Sequence, residues 1–328
     1  MKVDIIGAGS LGMLIAGRLA AAGTEIRLWC RSREQSEALE KKGLVVSYED
    51  GREPLKLAGD QVAAEPASGF AGAWLKEPGQ LVVLAVKQNA LQESVLQLLT
   101  PLKDEPLRIV CLQNGYGHIG LLQSRFPSAE IWAAVTTEAA KRKNLIEVIH
   151  TGSGEICIGK QGGQSSGAYL ADQTEESGGP AIRSFVEALN TAGFSAYLSN
   201  EVDNMIYRKL LINAVINPLT AIWRIPNGEL LHSEKRMHLM KALYDEITAV
   251  YEACGIPYDR GMWEKVMEVC LNTAANTSSM LADVMAARPT EIRWINGSIV
   301  DLAQHGGVEA PMNVMICRLL EGMNAKEG

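Results

Sequence analysis

Paired cysteines, surplus basic charge and long apolar runs are all missing from this sequence, and each absence removes a class of function. The six cysteines, Cys30, Cys111, Cys157, Cys254, Cys270 and Cys317, lie far apart, with no C-x-x-C and no histidine at zinc-ligand spacing. No metal is therefore expected, and a reducing cytoplasm is the expected setting. A formal net charge of −7 and a pI near 5.4 argue against a nucleic-acid-binding surface, leaving room only for a local basic pocket. No stretch of about 18 apolar residues occurs, so nothing is expected to span a membrane. Lys2 and the Ala-rich run after it imitate a secretory signal, but Asp4 and the glycines at 7, 9, 12 and 17 interrupt the pattern. What the chain does have is 328 residues, 47% of them hydrophobic, which is enough for a sizeable core and two domains.

Val3 to Ile6 reads as a short buried strand, and GAGSLG at 7 to 12 follows it directly, opening an Ala-rich helix that stops at Gly23. Between a strand and a helix, G-x-G-x-x-G has a mechanism. Gly7 permits the tight turn, Gly9 lets a pyrophosphate approach the backbone, and Gly12 packs helix on strand. Free N–H groups and the helix dipole would hold phosphates, which makes Gly7, Ala8, Gly9, Ser10, Leu11 and Gly12 a candidate dinucleotide cradle. The alternative is a glycine-rich turn without a ligand. At the end of the second strand, Glu25 to Cys30, an NAD-binding domain usually offers an acidic residue to the ribose. This sequence has Arg31 there, which suits a 2′-phosphate and points to NADP(H), with Ser32 and Arg33 as helpers. An exposed basic loop is the competing reading.

Further along, Leu44 to Tyr48 and Glu53 to Ala58 flank Asp50-Gly51 as a hairpin, while 65 to 79 read as loop. LVVLAV at 81 to 86 and Arg108 to Leu112 have the pattern of buried parallel strands, delivering Lys87 and Asn114 to the carboxyl edge where such sheets bind ligands. Either residue could equally be an ordinary loop residue. Ile131 to Val135 is a further strand, and Leu145 to His150 with Glu155 to Gly159 are expected to extend the sheet antiparallel. His150, with no partner evident in sequence, reads as structural. Residues 160 to 180 read as a solvated surface loop, before a helix at 181 to 192 and a strand at 194 to 198. The expected fold is thus α/β, a Rossmann-type dinucleotide-binding domain over 1–199 and an all-α domain over 200–328.

In the second domain Asn200 is the expected N-cap of a long helix. KLLINAVINP at 209 to 218 places Lys209, Asn213 and Asn217 four residues apart in an apolar run, hence on one helical stripe. Asn217 precedes Pro218, which leaves two readings open: a straight stripe, or a helix bent at the proline with that amide turned away from Lys209. Met240, Leu243, Ile247, Val250 and Cys254 form one apolar stripe, and Ile292, Ile295, Ile299 and Leu302 another. Asn227, Ser279 and Glu291 each have a dull explanation: turn residue, helix N-cap and first-turn acid.

Taken together, GAGSLG, Arg31, Ala-Val-Lys at 85 to 87, Gln-Asn-Gly at 113 to 115, KLLINAVINPLTAI at 209 to 222, Pro-Asn-Gly at 226 to 228 and SSMLADVMAARPTEI running into ING at 278 to 297 resemble the ketopantoate reductase family over nearly the whole chain. That resemblance implies NADP-dependent reduction of 2-dehydropantoate to pantoate, with Lys209 catalytic and Glu291 its acidic companion. It implies substrate contacts from Asn114, Asn213, Asn217, Asn227 and Ser279, and puts Lys87, Asn114 and Glu291 beside the cofactor. A homodimer is expected only by the same analogy. The residues add a chemical reason: a lysine ammonium stabilises the oxyanion that develops during ketone reduction and also supplies its proton. Burial should lower the Lys209 pKa and an ionised Glu291 should raise it. Two other readings share these residues, a reductase of another branched 2-oxo acid and an NADP(H)-sensing binding protein without chemistry.

Overall fold

The computed structural model describes residues 1–162 and 179–324, and the expected surface loop lies, over 163–178, outside the described residues. The chain divides into two compact units, Met1–Gln113 with His118–Asp203, and Asn114–Gly117 with Asn204 onward. Among the described residues no helix is long and apolar enough to cross a membrane.

In the first unit, β1 (Lys2–Ile6) leads through the glycine turn to α1 (Ser10–Ala21), β2 (Glu25–Cys30) and α2 (Arg33–Lys42). Next come β3 (Leu44–Tyr48), β4 (Leu55–Leu57), β5 (Ala63–Pro66), α3 (Phe70–Lys76) and β6 (Leu81–Leu84). A helical stretch follows, in which α4 (Gln88–Ala90) passes through a π-type turn into α5 (Leu96–Leu99). The unit continues with β7 (Arg108–Cys111), α6 (His118–Arg125), β8 (Glu130–Thr136), β9 (Ala139–Arg142), β10 (Glu147–Gly152), β11 (Glu155–Gly159), α7 (Pro180–Thr191) and β12 (Ser195–Leu198). The main sheet has the order β12-β11-β8-β7-β6-β1-β2-β5. Its pairs from β8 to β5 are parallel, and β11 runs antiparallel to β8. Central strands such as β6, LVVL, are buried on both faces, as a sheet covered by helices requires. Met13, Leu14 and Leu19 of α1 pack with Ile5, Leu28 and Val83 in one core.

Several local expectations are corrected. The stretch 65 to 79 is not loop: β5 is an edge strand whose Pro66 needs no ladder donor, and α3 buries Phe70 and Trp74. β10 does not extend the main sheet. It pairs parallel with β3 and antiparallel with β9, forming a second sheet of order β4-β3-β10-β9. The 44–58 hairpin therefore belongs to that second sheet. His150 has a partner after all, since its Nε2 lies 2.6 Å from the buried Glu138 carboxylate. Asp4 proves to be a buried anchor: it accepts two hydrogen bonds from Arg27 at 2.7 and 2.8 Å and one from Trp29 Nε1, tying β1 to β2.

The second unit is helical, with α8 (Val202–Trp223), α9 (Glu234–Ala253), α10 (Met262–Asn272), α11 (Ser279–Met285), α12 (Asn296–Gly306) and α13 (Pro311–Asn324). α8 starts at Val202, so Asn200 is a turn residue rather than its cap; Ser199 Oγ instead accepts from the Glu201 N–H. Met240, Leu243, Ile247 and Val250 are fully buried on α9, in one cluster with Leu210, Leu211, Val215 and Ile299. The second apolar stripe spans a break, because Ile292 sits in a 3-10 turn and α12 begins only at Asn296.

Candidate active site

The glycine turn in the first unit has the geometry its spacing demands. Gly7 adopts φ +114°, and a Cβ there would meet Val86 Cγ1 at 2.7 Å. A Cβ on Gly12 would fall 1.9 Å from the Gly7 carbonyl oxygen, so α1 can approach the turn only without a side chain. Gly9 differs: its nearest neighbour would be Ala85 O at 3.9 Å, which leaves the space over this backbone open. Gly9 is also the N-cap residue of α1, where no side chain caps the helix and no acidic residue occupies the first turn. Open space above uncapped N–H groups at a helix N-terminus fits a pyrophosphate.

Beyond β2, Arg31 is exposed and pairs with no carboxylate among the described residues. Its two neighbours have other work. Ser32 caps α2, accepting from Gln35 N, and Arg33 bonds Glu37 at 2.9 Å. Lys87 is exposed as the N-cap of α4, just past the carboxyl end of β6. Gln113 fastens the end of β7 to that of β6, its Nε2 donating to Leu84 O and Val86 O at 3.1 Å.

In the second unit, α8 runs unbroken through Pro218, which keeps Lys209, Asn213 and Asn217 on successive turns of one face. The helix continues past the proline with its freed carbonyl satisfied from elsewhere. Proline lacks the N–H that would bond the carbonyl four residues back, and that carbonyl, Ala214 O, accepts instead from Asn296 Nδ2 at 2.9 Å. Asn296 is fully buried and also donates to Asn313 Oδ1, while Asn313 donates in turn to Glu246. Glu246 accepts as well from the Met312 and Asn313 N–H groups, capping α13.

Lys209 and Asn213 are half-buried, and Asn217 is buried. Burial pulls the Lys209 ammonium from 10.5 down to about 8, while the Glu291 carboxylate acts on it in the opposite direction. Glu291 is itself buried at the start of the 3-10 turn, its carbonyl accepting from Trp294 N and Ile295 N. The structure thus couples Lys209 electrostatically to Glu291, 82 residues later in the chain.

The remaining candidates are placed less uniformly. Asn114 is half-buried on the segment Asn114–Gly117, which is held by Tyr116 N donating to Trp294 O and by the Tyr116 ring 5.3 Å from that of Tyr207. Asn227 is buried with its Nδ2 spent on Thr273 Oγ1, and its Oδ1 has no hydrogen-bond partner among the described residues. Ser279 is not the N-cap of α11. That role belongs to Ser278, whose Oγ accepts from Leu281 N, leaving Ser279 exposed at the first helical position. Thr220 donates to Asn217 O, so the 2.7 Å contact between Thr220 and Ser278 has Ser278 as donor. This relay pins the start of α11 to α8 one turn from Asn217. Neither Asn296 nor Ser278 stands out in sequence, although a proline inside an apolar helix is itself a signal that some donor must be found.

Burial disfavours thiolate formation at Cys30, raised to about 12, and at Cys270 and Cys317, raised to about 11.

Comparison with known proteins identifies the family. Residues 3–163 match the family model described as ketopantoate reductase PanE/ApbA, and 201–324 match its C-terminal counterpart. A 2-dehydropantoate 2-reductase of Archaeoglobus fulgidus is 30% identical over 99% of this chain and 98% of its own length. One from Shigella flexneri is 32% identical over 100% and 95%. The crystal structure of a PanE/ApbA family ketopantoate reductase from Ralstonia eutropha JMP134 superposes with a TM-score of 0.83 at 25% identity, covering 99% of this chain and 98% of that one. With two family models spanning both units and relatives aligned end to end, the chain belongs to the ketopantoate reductase family.

Proposed function

We propose that the protein reduces 2-dehydropantoate to pantoate with NADPH, a cytoplasmic step of pantothenate and coenzyme A biosynthesis. The observation that carries this reading is Lys209, held near pKa 8 by burial against Glu291, on the same stripe as Asn213 and Asn217. A general acid works best when its pKa lies near the working pH, and burial brings this lysine into that range. The first unit serves the cofactor, through the turn Gly7, Ala8, Gly9, Ser10, Leu11 and Gly12, with Arg31 for the 2′-phosphate and Lys87 near the reacting end. The second unit serves the substrate.

When bound, the nicotinamide supplies a hydride to the carbonyl carbon. Lys209 then has two tasks: its charge stabilises the developing oxyanion, and its proton ends on that oxygen. Glu291 keeps the ammonium charged at neutral pH. Asn114, Asn213 and Asn217 orient the substrate's carboxylate and hydroxyl as neutral donors that do not compete with Lys209 for charge. Asn227 offers its unpartnered Oδ1 as an acceptor, and Ser279 its exposed hydroxyl.

The test is NADPH oxidation on adding ketopantoate, compared with smaller 2-oxo acids. Turnover with ketopantoate at the highest kcat/KM is expected. Cofactor binding without turnover of any 2-oxo acid would defeat the proposal. Arg31→Asp should move preference from NADPH towards NADH, and an unchanged ratio would remove Arg31 from phosphate recognition.

A further inference from the structure

We propose that Arg142, the last residue of β9, is the second arm of the clamp on the cofactor's 2′-phosphate, sharing with Arg31 the selection of NADP(H) over NAD(H). This rests on the NADP reading above and adds a residue to it. Both ends of Arg142 are tied to the glycine turn. Its backbone N–H donates to Ser10 Oγ at 3.0 Å, and its guanidinium Nη1 lies 3.5 Å from the Ala8 carbonyl. The second sheet brings it there: β9 pairs with β10, which pairs with β3, and α1 lies against these strands. Arg142 also stands beside the end of β2, where its charge opposes the effect of burial on the Cys30 thiol. In a dinucleotide-binding sheet the residue after β2 faces the adenosine ribose. A cation anchored on Ala8 and within electrostatic reach of Cys30 stands at the same end of β2 from which Arg31 follows.

The charges around the turn support the assignment. Two cations close in sequence are neutralised, Arg33 by Glu37 and Lys143 by Glu147. Lys141, exposed beside Arg142, pairs with no carboxylate among the described residues but lacks the contacts with the turn that Arg142 makes at Ser10 and Ala8. Arg31 and Arg142 pair with no carboxylate among the described residues, in a chain of net charge −7. Arg142 commits only one long contact to Ala8, so most of its five donors remain available for a planar, two-pronged bond to phosphate. The pyrophosphate already has the N-terminus of α1. A phosphate monoester carries close to two negative charges at neutral pH, and a single exposed arginine leaves one uncompensated. Two arginines match it.

Calorimetric titration of Arg142→Gln with NADPH, NADH and 2′,5′-ADP tests the idea without requiring turnover. Loss of one exposed charge-assisted contact should weaken NADPH and 2′,5′-ADP roughly tenfold. NADH affinity should stay unchanged, and Arg142→Lys should recover part of the loss. Equal weakening of NADPH and NADH would place Arg142 on a group both cofactors share and overturn the assignment, as would no change in either. If the wild-type protein itself binds NADH as tightly as NADPH, the NADP reading falls along with this one. If the wild type prefers NADPH and Arg142→Gln keeps the full preference, only the inference about Arg142 falls.

Discussion

The glycine turn after β1 and the stripe on α8 are the two places proposed to meet a ligand, and they present polar groups in opposite ways. The first unit strips side chains away until backbone N–H groups stand open above Gly9. The second keeps a long helix in an apolar cluster and sets Lys209, Asn213 and Asn217 along one face of it. A backbone site depends on what is missing at a few positions, so it tolerates almost any neighbour but no added Cβ. A side-chain site depends on what surrounds it, because the same lysine in water would titrate two units or more higher.

The sharpest way to break this contrast is Lys209→Ala. Removing a general acid typically costs on the order of 10² to 10⁴ in rate. Steady-state assays should show kcat falling by that range while NADPH titration and circular dichroism stay as in the wild type. Retained turnover would move the chemistry off α8.

The backbone site is tested by two substitutions that look alike on paper. Gly12→Ala forces a Cβ against Gly7 O, and overpacking of this kind costs on the order of 1–3 kcal/mol, so urea denaturation should report a less stable protein. Gly9→Ala meets only Ala85 O, at an ordinary contact distance of 3.9 Å, so stability should be kept and cofactor affinity lost. If both variants behave alike, the cradle is merely a turn.

A smaller effect is expected at Asn296→Ala, which leaves Ala214 O and Asn313 without their donor. Buried polar atoms left unpaired cost roughly 1–3 kcal/mol, measurable as a lower denaturation midpoint. Smallest is the change at Glu291→Gln. The lysine must be protonated to act, so kcat/KM should hold below about pH 8 and decline above it. Removing the carboxylate takes away an influence that raises that pKa, and the decline should begin at lower pH. A profile that does not move would leave Glu291 out of the charge balance.

Much of this was legible in the sequence, and the reasons differ by region. Gly7, Gly9 and Gly12 announce themselves because spacing alone fixes a strand–turn–helix. The stripe on α8 was legible as periodicity, but its continuation past Pro218 was not, since the donor that replaces the proline's missing N–H lies 78 residues downstream at Asn296. Ser278 and Ser279 could not be told apart, as capping depends on which of two adjacent backbones leaves the helix first. β5 was hidden because AAEP has neither alternation nor β-branched residues and gains its strand conformation from pairing with β2. Arg142 was invisible for the same reason in a stronger form: β9 reaches the glycine turn only through a second sheet that local patterns do not reveal.

The repair of α8 also carries a constraint on how this chain can change over time. Pro218 and Asn296 are each costly alone: the proline frees a buried carbonyl, and the asparagine buries an amide in an apolar cluster. A lineage losing Asn296 first leaves both Ala214 O and Asn313 Oδ1 without a donor, whereas one that first replaces Pro218 by an ordinary residue restores the helix's own bond and leaves Asn296 with only Asn313 to serve. Of two routes to the same double substitution, the one through position 218 passes through the smaller loss, so the order of events matters as much as their sum.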